Sequence, residues 1–312
     1  KTHVYRIIRS GEVRINKARA AADTRIAPGD VLRLPPLRRP SLQSRRAQSQ
    51  TGAGDAVPVA GSPQVAQPRR FPVLYESEAL LALDKPAGVA VHGGSGVSFG
   101  VIEQLRAARP AATRLELVHR LDRETSGVLL VAKKRSALTA LQAQFRQRET
   151  GKTYLALVEG RWPAERKVLD APLAKYLQGD GERRVRVVDS SHADAMTATT
   201  LVRVVSPIEL PAVGFDPSFS LLAVTIKTGR THQIRVHLAS SGHCIAGDDK
   251  YGNFERNRAL HKCGLKRMFL HAWRLRFVDP ASGEPVLLQA ELPPDLSSLL
   301  APSALAVLAT WP

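Results

Sequence analysis

A short polar loop between two apolar runs carries the residue types of an active site. Residues 119–127 place the carboxylate of Asp122 among basic side chains, namely His119, Arg120 and Arg123. A carboxylate in such a loop can act as a nucleophile or as a general base, and the cations can bind an anionic substrate. The same residues also suit a turn in which Asp122 or Ser126 hydrogen-bonds its own backbone. Composition alone favours the turn.

A second group of polar residues offers metal-ligand types. Three of the nine histidines lie close to a pair of carboxylates, in the order His232, His237, His243, Asp248 and Asp249. Such residues would suit a metal-dependent phosphodiesterase that acts on RNA. However, a spacing of five residues turns His232 and His237 about 140° apart on a helix and onto opposite faces of a strand. Neither geometry converges on one ion, so the spacing argues against this class of enzyme.

The hydrophobic pattern around these groups predicts a mixed α+β fold. Apolar or alternating runs predict strands over residues 79–83, 115–121, 128–132, 152–159, 198–205, 221–227, 268–278 and 286–290. Helical spacing predicts a helix over residues 137–148, with Ser136 as its N-cap, and another over residues 234–240. We therefore expect a large, mostly antiparallel central sheet with flanking helices. Asp122 would lie in a connection between two of its strands.

Charge separates a basic N-terminal part from a more balanced body. The chain has 45 Lys and Arg against 28 Asp and Glu, a net charge of +17, and residues 1–70 contain 14 of the basic and 4 of the acidic residues. This excess indicates a polyanionic partner. A helix over residues 4–9 and short strands up to residue 34 are predicted. Residues 35–70 are rich in Pro, Ser, Gln, Arg, Gly and Ala, which predicts a flexible linker.

Composition also bears on the cellular compartment. The only cysteines, Cys244 and Cys263, exclude a disulfide scaffold and a zinc site built on three or four Cys. No apolar run reaches the length of a membrane span, and no secretory signal is visible. We expect a reducing compartment such as the bacterial cytoplasm. Because the chain begins at Lys1, we also expect that its natural N-terminus is missing.

Residues 119–127 resemble the catalytic signature of the pseudouridine synthases related to ribosomal large subunit synthase A. In that family the Asp of this signature is the catalytic residue. Further segments match the family's other motifs in order, namely residues 84–88 with His92, 151–156, 228–238, 247–252 and 270–275. The resemblance covers about residues 71–295, and such an ordered set is highly specific. Residues 1–36 resemble the end of an S4 RNA-binding domain without its usual first helix.

The resemblance implies the pseudouridine synthase fold, a catalytic domain over residues 71–312, a linker over residues 37–70 and a small α/β S4-like domain over residues 1–36. It implies isomerisation of uridine to pseudouridine in 23S rRNA of the large ribosomal subunit. This reaction neither oxidises nor reduces the substrate and needs no group donor, so we expect no cofactor and no metal. We expect no membrane partner and a monomeric protein.

The resemblance also implies roles for individual residues. Asp122 would act on the sugar, Arg235 would lie beside it, Tyr154 would stack on the extruded uracil, and Leu275 would pack on the other side of the pocket. The alternatives are a solvated helix charge for Arg235 and ordinary core positions for Tyr154 and Leu275. RNA contacts are expected from basic residues of both domains: His119, Arg120, Arg123, Arg230, Arg9 and Arg14.

The remaining alternatives are a pseudouridine synthase of another subfamily and a non-catalytic rRNA-binding assembly factor. The basic charge and the S4-like segment suit the assembly factor equally well. The loop around Asp122 discriminates between an enzyme and the assembly factor, because a pure RNA binder gains nothing from a carboxylate aimed at a phosphate-rich ligand.

Overall fold

The computed structural model describes residues 8, 13–16, 18–21, 24–25, 27, 29–33, 71–93, 99–178, 182–210 and 218–312. The chain divides into two compact units, residues 1–64 and residues 65–312. Arg9 and the predicted linker lie outside the described residues. The same holds for the helix predicted over residues 4–9, except for Ile8, which is helical.

The N-terminal unit contains a small antiparallel sheet of three short strands, β1 (Arg14–Ile15), β2 (Ala18–Arg19) and β3 (Leu32–Arg33). β1 is the central strand, and Arg14 pairs with Arg19 on one side and with Arg33 on the other. The β1–β2 turn is held by Asn16, whose side chain donates to Asp30 at 2.7 Å and accepts from the backbone N–H of Val31 at 2.9 Å. The three arginines therefore share one short sheet.

The larger unit alternates strands and helices around one sheet. Its strands are β4 (Val73–Glu76), β5 (Leu80–Lys85), β6 (Glu116–Leu117), β7 (Ser126–Ala132), β8 (Gly151–Glu159), β9 (Val168–Asp170), β10 (Leu173–Leu177), β11 (Arg183–Val187), β12 (Thr199–Glu209), β13 (Ser218–Ile226), β14 (Leu270–Val278) and β15 (Pro285–Gln289). Its helices are α1 (Val101–Ala108), α2 (Arg135–Gln147), α3 (Gln233–Ser240), α4 (Phe254–Lys262), α5 (Pro294–Ser297) and α6 (Pro302–Ala309).

The central sheet runs in the order β4-β5-β7-β14-β8-β13-β12-β9, with β6 beside β7 and β15 beside β14. Every described pair in it is antiparallel except β7 with β14, which is parallel. β10 and β11 form a separate hairpin. The predicted mixed, mostly antiparallel α+β fold is confirmed.

Helices cover both faces of each half of this sheet. The strands β5 and β7 lie between α1 and α2, because their alternate side chains enter two different hydrophobic clusters. In the same way β8 and β13 lie between α3 on one face and α4, α5 and α6 on the other. Double coverage explains why β7 is buried at all its positions and reads as a continuous apolar run.

Two local predictions were wrong. The strand predicted over residues 115–121 pairs with β7 only at Glu116–Leu117, because β14 occupies the same edge of β7 at residues 126–127. Residues 118–125 must therefore leave the sheet as a loop. Helix α2 begins earlier than expected, and its N-cap residue is Lys134, whose side chain makes no capping hydrogen bond. Ser136 lies inside the first turn and does not cap it.

Gly127 is required where β7 meets β14. Its φ is 108°, and a Cβ there would lie 2.2 Å from the carbonyl oxygen of Ala272. This contact brings the loop that carries Asp122 against the start of β14, in the middle of the sheet.

Candidate active site

A buried lysine anchors the loop at residues 118–125. Lys85 is fully buried, and its Nζ donates to the carbonyl oxygens of Pro86, Val89 and Arg123 at 2.8–3.1 Å. The backbone N–H of Gly88 donates to the same Arg123 oxygen at 2.9 Å. Burial lowers the pKa of Lys85 to about 8. Residues 84–88, predicted only as a motif, thus anchor the residue that follows Asp122.

Arg235 joins Asp122 to a second, more buried carboxylate. Its Nη1 lies 3.3 Å from Oδ2 of Asp122, while Nε and Nη2 make a bidentate pair with Asp248 at 2.8 and 2.7 Å. The Arg235 and Asp248 side chains are 7% and 1% exposed. Burial opposes the charge of Arg235, but the hydrogen bonds and charge of Asp248, followed by those of Asp122, raise the pKa of Arg235 above its ordinary value.

Backbone hydrogen bonds position the Asp248 carboxylate to accept from the Arg235 guanidinium. Its Oδ1 also accepts from the backbone N–H groups of Lys250 and Tyr251 at 2.8 and 3.1 Å. Burial acts to raise the pKa of Asp248, but its hydrogen bonds to Arg235 and to the backbone outweigh this effect and lower it. The arginine is therefore fixed at one end and directs one free nitrogen, Nη1, at Asp122.

The segment before α3 is anchored by side-chain hydrogen bonds. Gln233 donates to the carbonyl oxygen of Thr199 and to Thr200, and its Oε1 accepts from Thr228 and from the N–H of Arg230. His232 adopts a left-handed backbone conformation with φ 52° at the N-cap of α3. These contacts fix the start of α3 and therefore the position from which the Arg235 side chain projects.

His232 also lies near the Asp122 carboxylate. Its Nε2 is 3.8 Å from Oδ2 of Asp122, and its Nδ1 is 2.8 Å from the hydroxyl of Tyr251. Burial lowers the pKa of His232, against the opposing effect of the Asp122 charge. The Tyr251 hydroxyl also accepts from the N–H of Val185 at 3.1 Å. A histidine that is itself held by a tyrosine thus lies beside Asp122.

Tyr154 and Asp122 line the same cavity, which also includes Ile226 and Leu270 and has a volume of about 120 Å³. Tyr154 packs between two hydrophobic clusters, one in each half of the sheet. Burial, followed by the charge of Asp122, raises the pKa of Tyr154. The predicted proximity of Tyr154, Asp122 and Arg235 is therefore present, since all three line this cavity.

Leu275 does not lie at this cavity, so the prediction that it packs there was wrong. It pairs with Lys152 on β8 and belongs to the cluster beneath α2. Leu270, at the start of β14, lines the cavity with Tyr154 instead. The register explains the difference, because Ala272 is the residue of β14 that pairs with Tyr154, and Leu275 lies farther along the strand.

The predicted RNA-binding residues of the body have different surroundings. Arg120 is exposed and lines the cavity. Arg230 also lines it and donates to the carbonyl oxygen of Thr197 at 3.1 Å. Arg123 is exposed and pairs with Glu124 at 2.7 Å. The fourth predicted residue, His119, differs from these three.

His119 is engaged within the protein. Its Nε2 accepts from the backbone N–H of Leu130 at 3.1 Å, and its ring stacks on Phe145. Burial lowers the pKa of His119 to about 4, so the ring is neutral at pH 7. These contacts favour a structural role for His119 over phosphate binding.

The remaining histidines of the suspected metal group do not converge. His237 contacts the hydroxyl of Thr200 and the carbonyl oxygen of Ala171, and His243 contacts the carbonyl oxygen of Glu159. Within the described part of the chain, no group of three or more His, Cys, Asp or Glu could hold a metal ion. No described helix is both long and apolar enough to span a membrane.

Sequence reasoning did not assign roles to Asp248, Tyr251, His232 or Lys85. Each lies in a motif noted above, residues 247–252, 228–238 or 84–88. The usable signal was that Asp248 stands in a Gly- and Asp-rich turn while the resemblance gives Arg235 a place in the active site, where a charge removed from water requires a partner.

The sequence of residues 247–252, together with the S4-like segment, also predicts a subfamily. It resembles ribosomal large subunit pseudouridine synthase C. Curated relatives with that name come from Pasteurella multocida (strain Pm70; 43% identity, covering 96% of this chain and 85% of theirs) and Yersinia pestis (46%, 94% and 84%). Another comes from Escherichia coli (strain K12; 44%, 96% and 87%). The predicted resemblance is confirmed.

The solved structures similar to this fold include Human RNA Pseudouridylate Synthase Domain Containing 1, with a TM-score of 0.61 and 26% identity over 80% of this chain and 98% of that one. Human RNA Pseudouridylate Synthase Domain Containing 4 matches with a TM-score of 0.57 and 26% identity over 76% and 92%. Residues 79–240, which include Asp122, Tyr154 and Arg235, match the family described as RNA pseudouridylate synthase. The chain belongs to the RNA pseudouridylate synthase family.

Proposed function

We propose that this protein isomerises uridine to pseudouridine in 23S rRNA of the large ribosomal subunit, with Asp122 as its catalytic residue. The observation that carries the proposal is the Asp122 carboxylate, which lines one cavity with the Tyr154 ring and is held by Arg235 at 3.3 Å. The names of the curated relatives support the large subunit as the source of the substrate RNA.

The reaction requires little more than a correctly placed carboxylate on the sugar. The N1–C1′ bond breaks, the uracil turns, and C5 forms a bond to C1′. The proton that C5 loses is balanced by the one that N1 gains, so the product is an isomer. Asp122 can attack C1′ as a nucleophile or accept the C2′ proton as a base. In either route Arg235 and Asp248 keep the carboxylate in one position, which reduces the entropy that must be lost on the way to the transition state.

Tyr154 and its apolar neighbours would bind the base. A uracil can reach a cavity of this kind only when its nucleotide is extruded from the RNA helix. The Tyr154 ring can stack on the extruded base, which is worth about 1–3 kcal/mol. Ile226 and Leu270 line the same cavity and exclude water from the ring. Released uracil would thus stay within reach of C1′ while it turns.

Basic residues around the opening would contact the RNA backbone. Arg120 and Arg230 line the cavity, and Arg123 is exposed beside it. In the S4-like domain over residues 1–36, Arg9 and Arg14 would bind a neighbouring RNA element, and the linker over residues 37–70 would connect this domain to the body. Residues 71–312 would contain the complete reaction site. We further propose a monomer that works in the bacterial cytoplasm, where ribosomes are assembled.

The test is to incubate unmodified 23S rRNA with the protein and to map pseudouridine by carbodiimide-dependent primer extension. Wild type should produce new stops, and Asp122→Asn should produce none while it binds the RNA as tightly as wild type does. Asp194→Asn is the matched control, because it removes an exposed carboxylate outside the cavity. RNA binding by wild type without any new stop would instead indicate the non-catalytic assembly factor.

A further inference from the structure

A second cavity adjoins the one that holds Asp122. The two share Arg120, Tyr154, Ile226 and Gly229 as walls. The second cavity has a volume of about 380 Å³ and extends towards the C-terminal half of α2. Its remaining walls are Val118, His119, Gln142, Phe145, Arg146 and Lys152. A nucleotide next to one bound in the first cavity would therefore face this space.

Lys152 is an unusual residue to find in such a wall. It is only 8% exposed, and its Nζ lies 5.2 Å from the centre of the Phe145 ring. Among the described residues, no carboxylate forms an ion pair with it and no acceptor receives a hydrogen bond from it. Burial, followed by the charge of Arg148, lowers the pKa of Lys152. The Lys152 stem is thus buried, while its ammonium group remains accessible and receives no anion from the described part of the protein.

The other cations at this cavity are also without acidic partners. Arg120 and Arg146 are exposed, and neither forms an ion pair within the described part of the chain. By contrast, Arg123 pairs with Glu124, and Arg109 pairs with Glu76. The cavity lining contains no Asp or Glu. Three cations that line one cavity without an internal anion are typical of an oxyanion site.

The apolar part of the lining gives the cavity a fixed shape. Phe145 stacks on His119 at a ring distance of 4.9 Å, and His119 is itself held by the backbone of β7. Because His119 is a neutral acceptor there, the positive charge comes only from Lys152 and the arginines. Gln142, which lies one turn before Phe145 on α2, adds an amide donor. An anion with several oxygens would satisfy this set.

We propose that Lys152, with Arg120 and Arg146, forms a subsite for a backbone phosphate of the nucleotide adjacent to the target uridine. This inference rests on the proposed function for the identity of the polyanion. It adds a contact that anchors the strand on one side of the extruded nucleotide. The phosphate supplies the counter-charge that the folded protein lacks at Lys152.

The first experiment measures RNA affinity as a function of salt for Lys152→Met, Lys152→Arg and wild type, with a 23S rRNA fragment as the probe. Lys152→Met should bind about tenfold more weakly, since a charged hydrogen bond is lost, and its slope of log affinity against log salt should fall by about 0.7–0.9. Lys152→Arg should recover most of the affinity. Lys262→Met is the matched control, because it removes an exposed lysine from α4 that lines neither cavity.

Unfolding by urea, measured on the same variants, separates binding from structure. Met fills the space of the buried Lys152 stem and breaks no internal ion pair, so Lys152→Met should be about as stable as wild type. Reduced stability with unchanged affinity and salt slope would overturn the proposal and make Lys152 a structural residue. A loss that Lys262→Met reproduces would also overturn it, since the effect would then be one of net charge alone.

The second experiment neutralises the phosphates one at a time, with methylphosphonate links in an oligonucleotide that spans a mapped target uridine. One position next to the target should weaken wild type about tenfold and Lys152→Met much less, because the two changes remove the same contact. Independent, additive losses at every position would overturn the subsite. If wild type isomerises no uridine, the proposed function fails on its own, and the salt dependence still decides the role of Lys152.

Discussion

Replacement of Arg235 by Met should separate the stability of the site from its chemistry. The side chain joins a buried carboxylate, Asp248, to the more accessible Asp122, and both contacts are lost together. Removal of one partner from a buried ion pair costs about 3–5 kcal/mol. Because Asp248 keeps two backbone N–H donors, we expect a loss near the lower end, about 3 kcal/mol. Measured against a typical stability of about 5–15 kcal/mol, such a variant remains folded.

The same variant should also lose activity, for a different reason. Asp122 loses the charged hydrogen bond that orients its carboxylate, which is worth about 1.5–3 kcal/mol, or about 10- to 150-fold in rate. The double variant Arg235→Met/Asp248→Asn removes the stranded buried charge as well. It should regain about 2 kcal/mol of stability but none of the activity, since Asp122 still has no partner.

Two measurements check this reasoning. Urea unfolding gives the free energies, and single-turnover pseudouridine formation, scored by carbodiimide-dependent primer extension, gives the rate per folded molecule. Arg235→Lys serves as the control that keeps the charge but not the bidentate geometry. If activity returned in the double variant together with stability, Arg235 would act only through the buried pair, and its proposed role at Asp122 would be refuted.

Three further changes probe other parts of the molecule. Tyr154→Phe should keep much of the RNA binding because the ring face remains, whereas Tyr154→Ala should form pseudouridine about tenfold more slowly or worse, because the base is no longer captured. Primer extension measures both variants. Full activity of the Ala variant would show that Tyr154 is only a core residue. The free energy of unfolding of wild type, relative to Lys85→Met, should rise between about pH 8 and pH 10.5. In that range the buried Lys85 amine has lost its proton in the folded state while the unfolded chain still binds one. Urea unfolding across pH tests this, and parallel curves for the two proteins would contradict it. Deletion of residues 1–70, which hold 14 basic and 4 acidic residues, should leave a folded chain that binds rRNA more weakly and with a shallower salt dependence. Identical affinity and salt slope would assign recognition wholly to the remaining body.

Patterns that depend on neighbours in the chain could be interpreted correctly without a structure. The apolar run of β7, the alternation in β8 and the helical spacing of α2 and α3 predicted those elements, because burial of a face imposes a period on the sequence. The ordered motifs indicated the family, and the three residues to which they pointed, Asp122, Tyr154 and Arg235, line one cavity. Local chemistry was less reliable at boundaries, where Ser136 suggested a cap that the helix does not use.

Contacts between distant segments were decided by the tertiary structure alone. Asp122 and Arg235 are 113 residues apart, and they meet because β14 takes the edge of β7 and forces residues 118–125 out of the sheet. The position of Leu270 at the cavity, in place of Leu275, follows from the register between β14 and β8. The burial of the Lys152 side chain likewise depends on α2, because Phe145 of that helix lies against it. Register and packing are sums over many weak contacts between segments, and no single stretch of sequence encodes them.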